Sequence, residues 1–186
     1  MSNRVSQFII ICEDKLQEVV ACRFLKKGWN INQRLIRTEI CTAGSGEKHV
    51  RDKYANELIA LRARSGKTAL VVVIDADKGS VKDHNNELNA AAIKNNIKPR
   101  SDTEPVVHII PKRHIETWLA WLNSVEMDEN TSYKPKYEYK NCESETHVFI
   151  DRLADNCKQN KELENPPDSL KKACKEFNSR LRQLLS

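Results

Sequence analysis

The stretch "ALVVVIDADKGSV", Ala69–Val81, carries the clearest structural signal in the chain, because an apolar, valine-rich run ends abruptly on two aspartates. A short apolar run that is rich in β-branched residues and bounded by polar ones is typical of a fully buried strand. Asp75 and Asp77 are alternate residues, so on an extended backbone their side chains share one face. The stretch therefore predicts a buried strand with two carboxylates at its carboxyl end.

Strand and helix patterns alternate on both sides of this run. Further strand-like runs lie at Gln7–Cys12, Arg34–Ala43 and Glu104–Pro111. The segments between the runs space their apolar residues as one face of a helix does. Strands that alternate with helices indicate a parallel sheet covered on both faces. We expect an α/β fold with a small, mostly parallel four-stranded sheet and helices on both faces.

The chain changes character after this alternating part. From about Ser124 it is polar and contains Tyr and Lys in place of aliphatic residues, and two helical patterns follow. A length of 186 residues suits one domain with a sizeable core. We expect a core at residues 1–123. Residues 124–186 are predicted to form a polar loop and C-terminal helices that pack on the core or extend it.

The bulk composition limits the class of protein. With 39% hydrophobic and 31% charged residues, the chain reads as globular and not as disordered. A formal net charge of +5 is compatible with a nucleic-acid partner but does not require one. No two of the six cysteines have C-x-x-C spacing, so a zinc site is not expected. The first apolar run is too short for a signal peptide or a membrane span, and we expect a cytoplasmic protein without membrane association.

Four acidic residues are predicted at the carboxyl ends of the strands, where parallel α/β sheets bind their ligands: Glu13, Asp75, Asp77 and Glu116. Carboxylates at close range repel one another unless a cation compensates their charge. Mg²⁺ prefers oxygen ligands and uses one or a few protein carboxylates. The combination therefore predicts a metal site at this edge of the sheet.

Each of these carboxylates also has a purely structural explanation. Asp77 could be the N-cap of the following helix, and Glu13 could be an acidic residue in a first helical turn. Glu116 could be a surface charge on an amphipathic helix. It is the presence of all four residues at one predicted edge that favours a metal site.

Three motifs resemble the TOPRIM family, which includes primases, topoisomerases of types IA and II, and overcoming-lysogenization-defect (OLD) nucleases. "FIIICEDKLQE" matches the family's glutamate motif at Glu13, "VVVIDADKGS" matches its Asp-x-Asp motif, and "IPKRHIETWL" is similar to the Arg-x-Ile-Glu segment of OLD-like nucleases. The likeness covers about residues 7–123 and is closest to small stand-alone, defence-associated TOPRIM nucleases. Asp14 stands where the family usually has glycine, and Gln17 stands where it often has an acidic residue.

The resemblance implies a role for each matching residue. Asp75, Asp77, Glu13 and Glu116 would hold Mg²⁺ or Mn²⁺, and Glu13 would also act as a general base or acid. Arg113 accompanies Glu116 in its motif and would be catalytic.

Weaker candidates for substrate contacts lie nearby. Lys78 and Lys112 would neutralise phosphate charge, although an ordinary surface position explains them better. Ser45 lies in the loop "TAGSGEKH", which is either a simple turn or a substrate contact at the end of a strand.

The resemblance further implies a metal-dependent nuclease that cleaves phosphodiester bonds, within bacterial or phage defence, with DNA favoured over RNA. It also implies an ABC- or AAA-type ATPase partner. The alternative is a non-catalytic TOPRIM-like regulatory or interaction module that works with such an ATPase. A phosphoacceptor receiver domain is a third hypothesis, but "IPKR" is a poor substitute for the lysine that it needs. The oligomeric state stays open.

Overall fold

Four parallel strands form a single sheet with helices packed on both of its faces. The computed structural model describes residues 5–134, 139–159 and 161–185. Its strands are β1 (Gln7–Cys12), β2 (Ile36–Ile40), β3 (Thr68–Val73) and β4 (Val106–Ile109). Their spatial order is β2-β1-β3-β4, and each neighbouring pair is parallel. The predicted α/β class is confirmed, and the sheet is parallel throughout.

A helix follows each strand, as the sequence predicts. These helices are α1 (Lys15–Arg23), α2 (Gly46–Ala63), α3 (Val81–Lys94) and α4 (Ile115–Leu122). A π-helical turn (Phe24–Gly28) extends α1, and a short 3₁₀ turn (Gln33–Leu35) precedes β2. The C-terminal helices are α5 (Tyr139–Lys158), α6 (Asp168–Arg180) and α7 (Arg182–Leu185). No helix in the described residues is both long enough and apolar enough to cross a bilayer.

The two faces of the sheet are buried by different helices. Alternate strand residues such as Ile9, Ile11 and Leu70 pack against α2 and α3. The opposite face, which includes Phe8 and Ile10, packs against the end of α1 and the C-terminal helices. Helices therefore cover both faces, as the sequence predicts. Because residues of α5 and α6 lie in the same apolar cluster as the strands, the described C-terminal region packs on the sheet.

Side chains close the open edge of β4. The backbone N–H of His108 donates to Oε1 of Glu176 at 2.6 Å, and Arg100 donates to the carbonyl of Val106 at 2.6 Å. Arg100 and Glu176 are themselves an ion pair. Unpaired edge groups invite pairing with another chain, so this cover protects the edge strand. The cover also fixes α6 beside β4.

The imidazole of His108 is buried inside the fold. Its Nδ1 lies 2.8 Å from Oδ1 of Asn85 on α3, and the ring packs edge-on against Tyr54 at 5.1 Å. Burial, with the nearby charges of Arg100 and Arg180, lowers the pKa of His108 well below its ordinary value. The folded protein therefore keeps this imidazole neutral at mildly acidic pH.

We predict that His108 makes the fold sensitive to acid. Below the unfolded-state pKa of about 6.5, only the unfolded chain takes up the proton, so stability falls as the pH falls. Between pH 7 and pH 5, wild type should lose about 2 kcal/mol more unfolding free energy than His108→Asn, which retains a donor toward Asn85. Urea unfolding of both proteins at the two pH values measures this difference. Parallel pH dependences would contradict the prediction.

Candidate active site

The order of the strands brings the first two predicted residues into contact. β1 and β3 are neighbours and run in parallel, so their carboxyl ends meet at the same edge of the sheet. Glu13 directly follows β1, and Asp75 lies two residues after β3. The backbone N–H of Asp75 donates to Oε1 of Glu13 at 2.6 Å. The predicted convergence of these two positions is therefore present in the fold.

The segments after β3 and β4 continue side by side beyond the sheet. The N–H of Ala76 donates to the carbonyl of Pro111 at 2.9 Å, and the N–H of Asp77 donates to the carbonyl of Arg113 at 2.8 Å. This pairing carries Asp77 to the start of α4, where Glu116 lies in the first turn. The second and third motifs thus meet through backbone hydrogen bonds.

Asp77 does not cap the helix that follows it. Its φ is +44°, a left-handed backbone that aspartate and asparagine tolerate better than most residues. The N-cap of α3 is Ser80, which forms a reciprocal capping box with Asp83. The capping explanation for Asp77 is therefore wrong. Its side chain is about half exposed, at 47%, and lies at the mouth of the cluster.

Asp75 and Glu116 are the buried members of the cluster. Asp75 is 2% exposed, and its Oδ1 accepts the backbone N–H of Ile115 at 3.0 Å. Glu116 is 7% exposed, so the surface-charge explanation for it is wrong. Among the described residues, Oε2 of Glu116 has no hydrogen-bond partner. A buried carboxylate oxygen without a partner is costly when the group is ionised.

Two basic side chains that the sequence interpretation missed face the carboxylates. Nδ1 of His114 lies 3.2 Å from Oδ1 of Asp77 and 3.6 Å from Oδ2 of Asp75. Nζ of Lys134 lies 3.8 Å from Oδ2 of Asp75. Helical spacing predicts that the side chain of His114 points away from the site, but His114 has an extended backbone at the N-cap of α4. Its position immediately before a predicted helix is the signal that could have located it.

Burial, more than mutual repulsion, raises the pKa values of three carboxyls in the cluster. Burial, with the charge of Asp75, raises the pKa of Glu13 to about 7, although the hydrogen bonds with the Asp75 backbone and the Gln17 side chain oppose the shift. Burial, with the charge of Asp75, also raises the pKa of Glu116 to about 7. The pKa of Asp75 is raised by burial, although His114 and Lys134 oppose the shift. The site therefore favours the uptake of positive charge.

The surroundings of Glu13 explain its placement. Its N–H donates to Oε1 of the fully buried Gln17 at 2.9 Å. Asp14 is the N-cap of α1 with φ −145°, an extended backbone that needs no glycine. Glu13 thus precedes the helix, and the first-turn explanation for it is wrong. Gly46 leaves room for its carboxylate, since a Cβ there would lie 2.7 Å from Oε2 of Glu13.

The remaining predicted residues lie around this centre in less direct positions. A terminal guanidinium nitrogen of Arg113 donates to the carbonyl of Asn130, and its Nε has no partner among the described residues. The backbone N–H of Lys112 donates to Ser169, while Lys78 is exposed. Ser45 caps α2 by accepting the N–H of Lys48 at 3.4 Å. Its capping is thus observed, whereas substrate contacts by Ser45, Lys78 and Lys112 stay predictions.

The geometry also limits what the cluster can bind as it stands. Within residues 5–134, 139–159 and 161–185, no three His, Cys, Asp or Glu side chains are arranged to hold a metal ion. Glu13 and Asp75 each have one oxygen engaged by a backbone N–H. The donor set nevertheless suits a hard cation, because it consists of carboxylates, with one unpartnered oxygen on Glu116.

Comparison with protein-family models, with curated proteins and with solved structures found no match to this chain. The fold and the site alone describe the class of this protein. It is an α/β protein with a cluster of carboxylates, two of them buried, at the carboxyl edge of a parallel sheet.

Proposed function

We propose that this protein is a metal-dependent nuclease of TOPRIM type that cleaves phosphodiester bonds of nucleic acid, with DNA favoured over RNA, in bacterial or phage defence. The observation that carries the proposal is the buried Oε2 of Glu116, which has no partner among the described residues and whose carboxyl feels the charge of Asp75. A purely structural carboxylate at this depth would have its oxygens hydrogen-bonded. The sequence motifs suggest Mg²⁺ or Mn²⁺ as the cation that these carboxylates would hold.

The protein's own groups suit the chemistry of phosphodiester cleavage. Asp75, Asp77, Glu13 and Glu116 would hold the cation, which supplies Lewis-acid stabilisation of phosphate charge and lowers the pKa of bound water. Oε1 of Glu13 accepts the N–H of Asp75, which leaves Oε2 to take up a proton. A pKa of about 7 lets this carboxylate exchange a proton near neutral pH, as a general base or acid requires. Arg113 and Lys134 are the nearby cations for a phosphate.

Metal binding and cleavage test the proposal separately. Calorimetry with Mg²⁺ and Mn²⁺ should show binding to wild type that weakens at least about tenfold in Glu116→Gln. Wild type should cleave plasmid, linear DNA or RNA with either metal and not in EDTA. Glu126→Gln is the matched control, because it makes the same change at an exposed position after α4. Wild type that binds neither metal would refute the metal site.

The charge compensation within the site supports a second candidate function. Lys134 and His114 already offset part of the negative charge at Asp75, as they would in a cluster that needs no cation. The alternative proposal is accordingly a non-catalytic regulatory or interaction module that works with an ATPase partner. Calorimetry that shows no metal binding, in a protein that binds such an ATPase, would favour this alternative.

We predict that Gly46→Ala impairs activity without preventing folding. The added Cβ would lie within 3 Å of both Oε2 and Cβ of Glu13, so the glutamate must move. Loss of its alignment with Asp75 should lower the cleavage rate about tenfold or more. The melting temperature should fall modestly, because the overlap with Cβ of Glu13 shifts the backbone after β1, whereas alanine favours the first turn of α2.

Gly66→Ala provides the control for this prediction. Its Cβ would approach only the Ser6 hydroxyl, at 3.1 Å, at the far end of β3. Equal cleavage rates for the two alanine variants would contradict a positioning role for Gly46.

A further inference from the structure

A basic groove runs along the exposed side of α1. It encloses about 280 Å³ between α1, the π-helical turn that follows, Gln33 and His147. Its charged lining contains one carboxylate, Glu18, and four cations: Lys15, Arg23, Lys26 and Lys27. In a chain with a net charge of +5, this is a marked local concentration of positive charge. We call this surface the α1 groove.

Two of the four cations have no ion-pair partner among the residues that the structure describes. Lys15 pairs with Glu18, and Nε of Arg23 donates to Oδ1 of Asp151 at 2.7 Å. Lys26 and Lys27 are exposed, and neither forms an ion pair within the described part of the chain. Glu18 is also held by the hydroxyl of Thr38 at 2.8 Å, so its charge is largely engaged. The lysine pair is therefore the free positive charge of the α1 groove.

Arginines on the opposite face of the sheet contrast with this lysine pair, because they pair with carboxylates. Arg51 of α2 pairs with Glu47 and Glu87, Arg62 of α2 with Glu104, and Arg64 at the end of α2 with Glu57. The α1 groove instead keeps Lys26 and Lys27 without an ion pair among the described residues.

The fold holds the lysine pair in place. Both lysines lie in the π-helical turn Phe24–Gly28, whose Leu25 is 1% exposed. A Cβ on Gly28 would lie 2.3 Å from Cβ of Ala154, so the turn packs directly on α5. π-helical turns are frequent at functional sites. Because this turn packs on α5, the backbone that carries Lys26 and Lys27 is held in place.

The α1 groove also adjoins the carboxylate cluster. Lys15 is two residues beyond Glu13, and α1 begins at the carboxyl edge of the sheet. From Lys15 to Lys26 the helix rises about 17 Å at about 1.5 Å per residue. The positive surface therefore leads from the candidate active site along one side of the molecule.

We propose that the α1 groove binds the phosphodiester backbone of the nucleic acid strand that enters the carboxylate cluster. The inference rests on the proposed nuclease function and assigns a path to its substrate. Lysine ammonium groups bind phosphates as point charges and do not read sequence, so the path accepts any strand. Lys26 and Lys27 hold phosphates distant from the cleaved bond.

Binding in EDTA tests the groove without any cleavage. The full-length protein is titrated against labelled single-stranded DNA, the corresponding duplex and RNA of the same sequence, and anisotropy is followed over a range of salt concentrations. The double variant Lys26→Ala/Lys27→Ala should bind roughly tenfold more weakly at low salt. The slope of log K against log salt should fall by about 1.4 for single strands or about 1.8 for duplex.

Lys94→Ala/Lys98→Ala is the matched control, since both lysines are exposed at the end of α3 and the net charge change is the same. This control should retain wild-type affinity and slope. Equal losses in the two double variants would overturn the proposal, because only net charge would then matter. Unchanged binding in the groove variant, or no binding by wild type to any of the three probes, would also overturn it.

The outcome is separable from that of the nuclease proposal. Groove-dependent binding without cleavage in Mg²⁺ or Mn²⁺ would support the groove and refute the nuclease. Metal-dependent cleavage that Lys26→Ala/Lys27→Ala leaves unchanged at every salt concentration would support the nuclease and refute the groove. Thermal melting of both double variants should match wild type, because the substituted side chains are exposed.

Discussion

Replacing Asp77 with asparagine should lower metal-dependent cleavage by more than about 100-fold while leaving folding intact. The substitution removes one carboxylate charge from a cluster in which Glu13 and Glu116 already have raised pKa values. Asparagine tolerates the left-handed backbone at φ +44°, whereas alanine would be strained there. Because the side chain is 47% exposed, no core cavity forms. The substitution of one carboxylate oxygen by an amide group therefore tests the role of Asp77 in cleavage without disturbing the fold.

Two measurements and a control decide this prediction. Cleavage is measured with Mg²⁺ or Mn²⁺, and unfolding is measured in EDTA, where the stability change should stay within about 1 kcal/mol. Asp52→Asn makes the same chemical change at an exposed position of α2 and should cut like wild type. If Asp77→Asn also cuts like wild type, Asp77 is not part of the machinery. If no variant cuts any substrate, even with an ATPase present, the non-catalytic module becomes the better proposal.

The architecture could be predicted because its signals are local. The buried run that becomes β3 is apolar on both faces, so it had to lie inside a sheet with helices on each side. The helices are predictable from the spacing of their apolar residues and from polar residues at their N-termini, such as the capping box that Ser80 forms with Asp83. The sequence does not show which face of the sheet α5 and α6 cover, because that depends on which apolar surfaces meet in the folded chain.

The carboxylate cluster could be predicted only in part. A strand end is readable from sequence, and adjacent parallel strands bring Glu13 and Asp75 together. The contacts of His114 and Lys134 depend on tertiary structure: one on the extended backbone before α4, the other on a loop that returns to the site. The environment of Glu116 likewise depends on tertiary structure, because Asp75, Lys134 and Asp14 are the charged groups that act on its carboxyl. These features decide the charge balance of the site, which spacing alone does not reveal.

Replacing Phe177 with alanine should destabilise the whole protein by about 3–5 kcal/mol. Phe177 is 4% exposed, and its ring contacts Phe24 at 5.0 Å and Trp29 at 5.6 Å between centroids. These rings belong to the apolar cluster that covers one face of the sheet. Small domains are stable by only about 5–15 kcal/mol, so this loss would be a large share of the total.

The same variant distinguishes an integral C-terminal region from an appended one. If α6 is part of one cooperative core, urea unfolding of Phe177→Ala followed by circular dichroism shows a single transition at lower urea. If residues 124–186 are an independent extension, the main transition stays where it is in wild type. Val148→Ala, at a side chain of α5 that is 57% exposed, should leave the transition unchanged. We expect the cooperative result, because Ser169 at the start of α6 hydrogen-bonds both Lys112 and Trp118 and so fixes α4, which carries Glu116, in place.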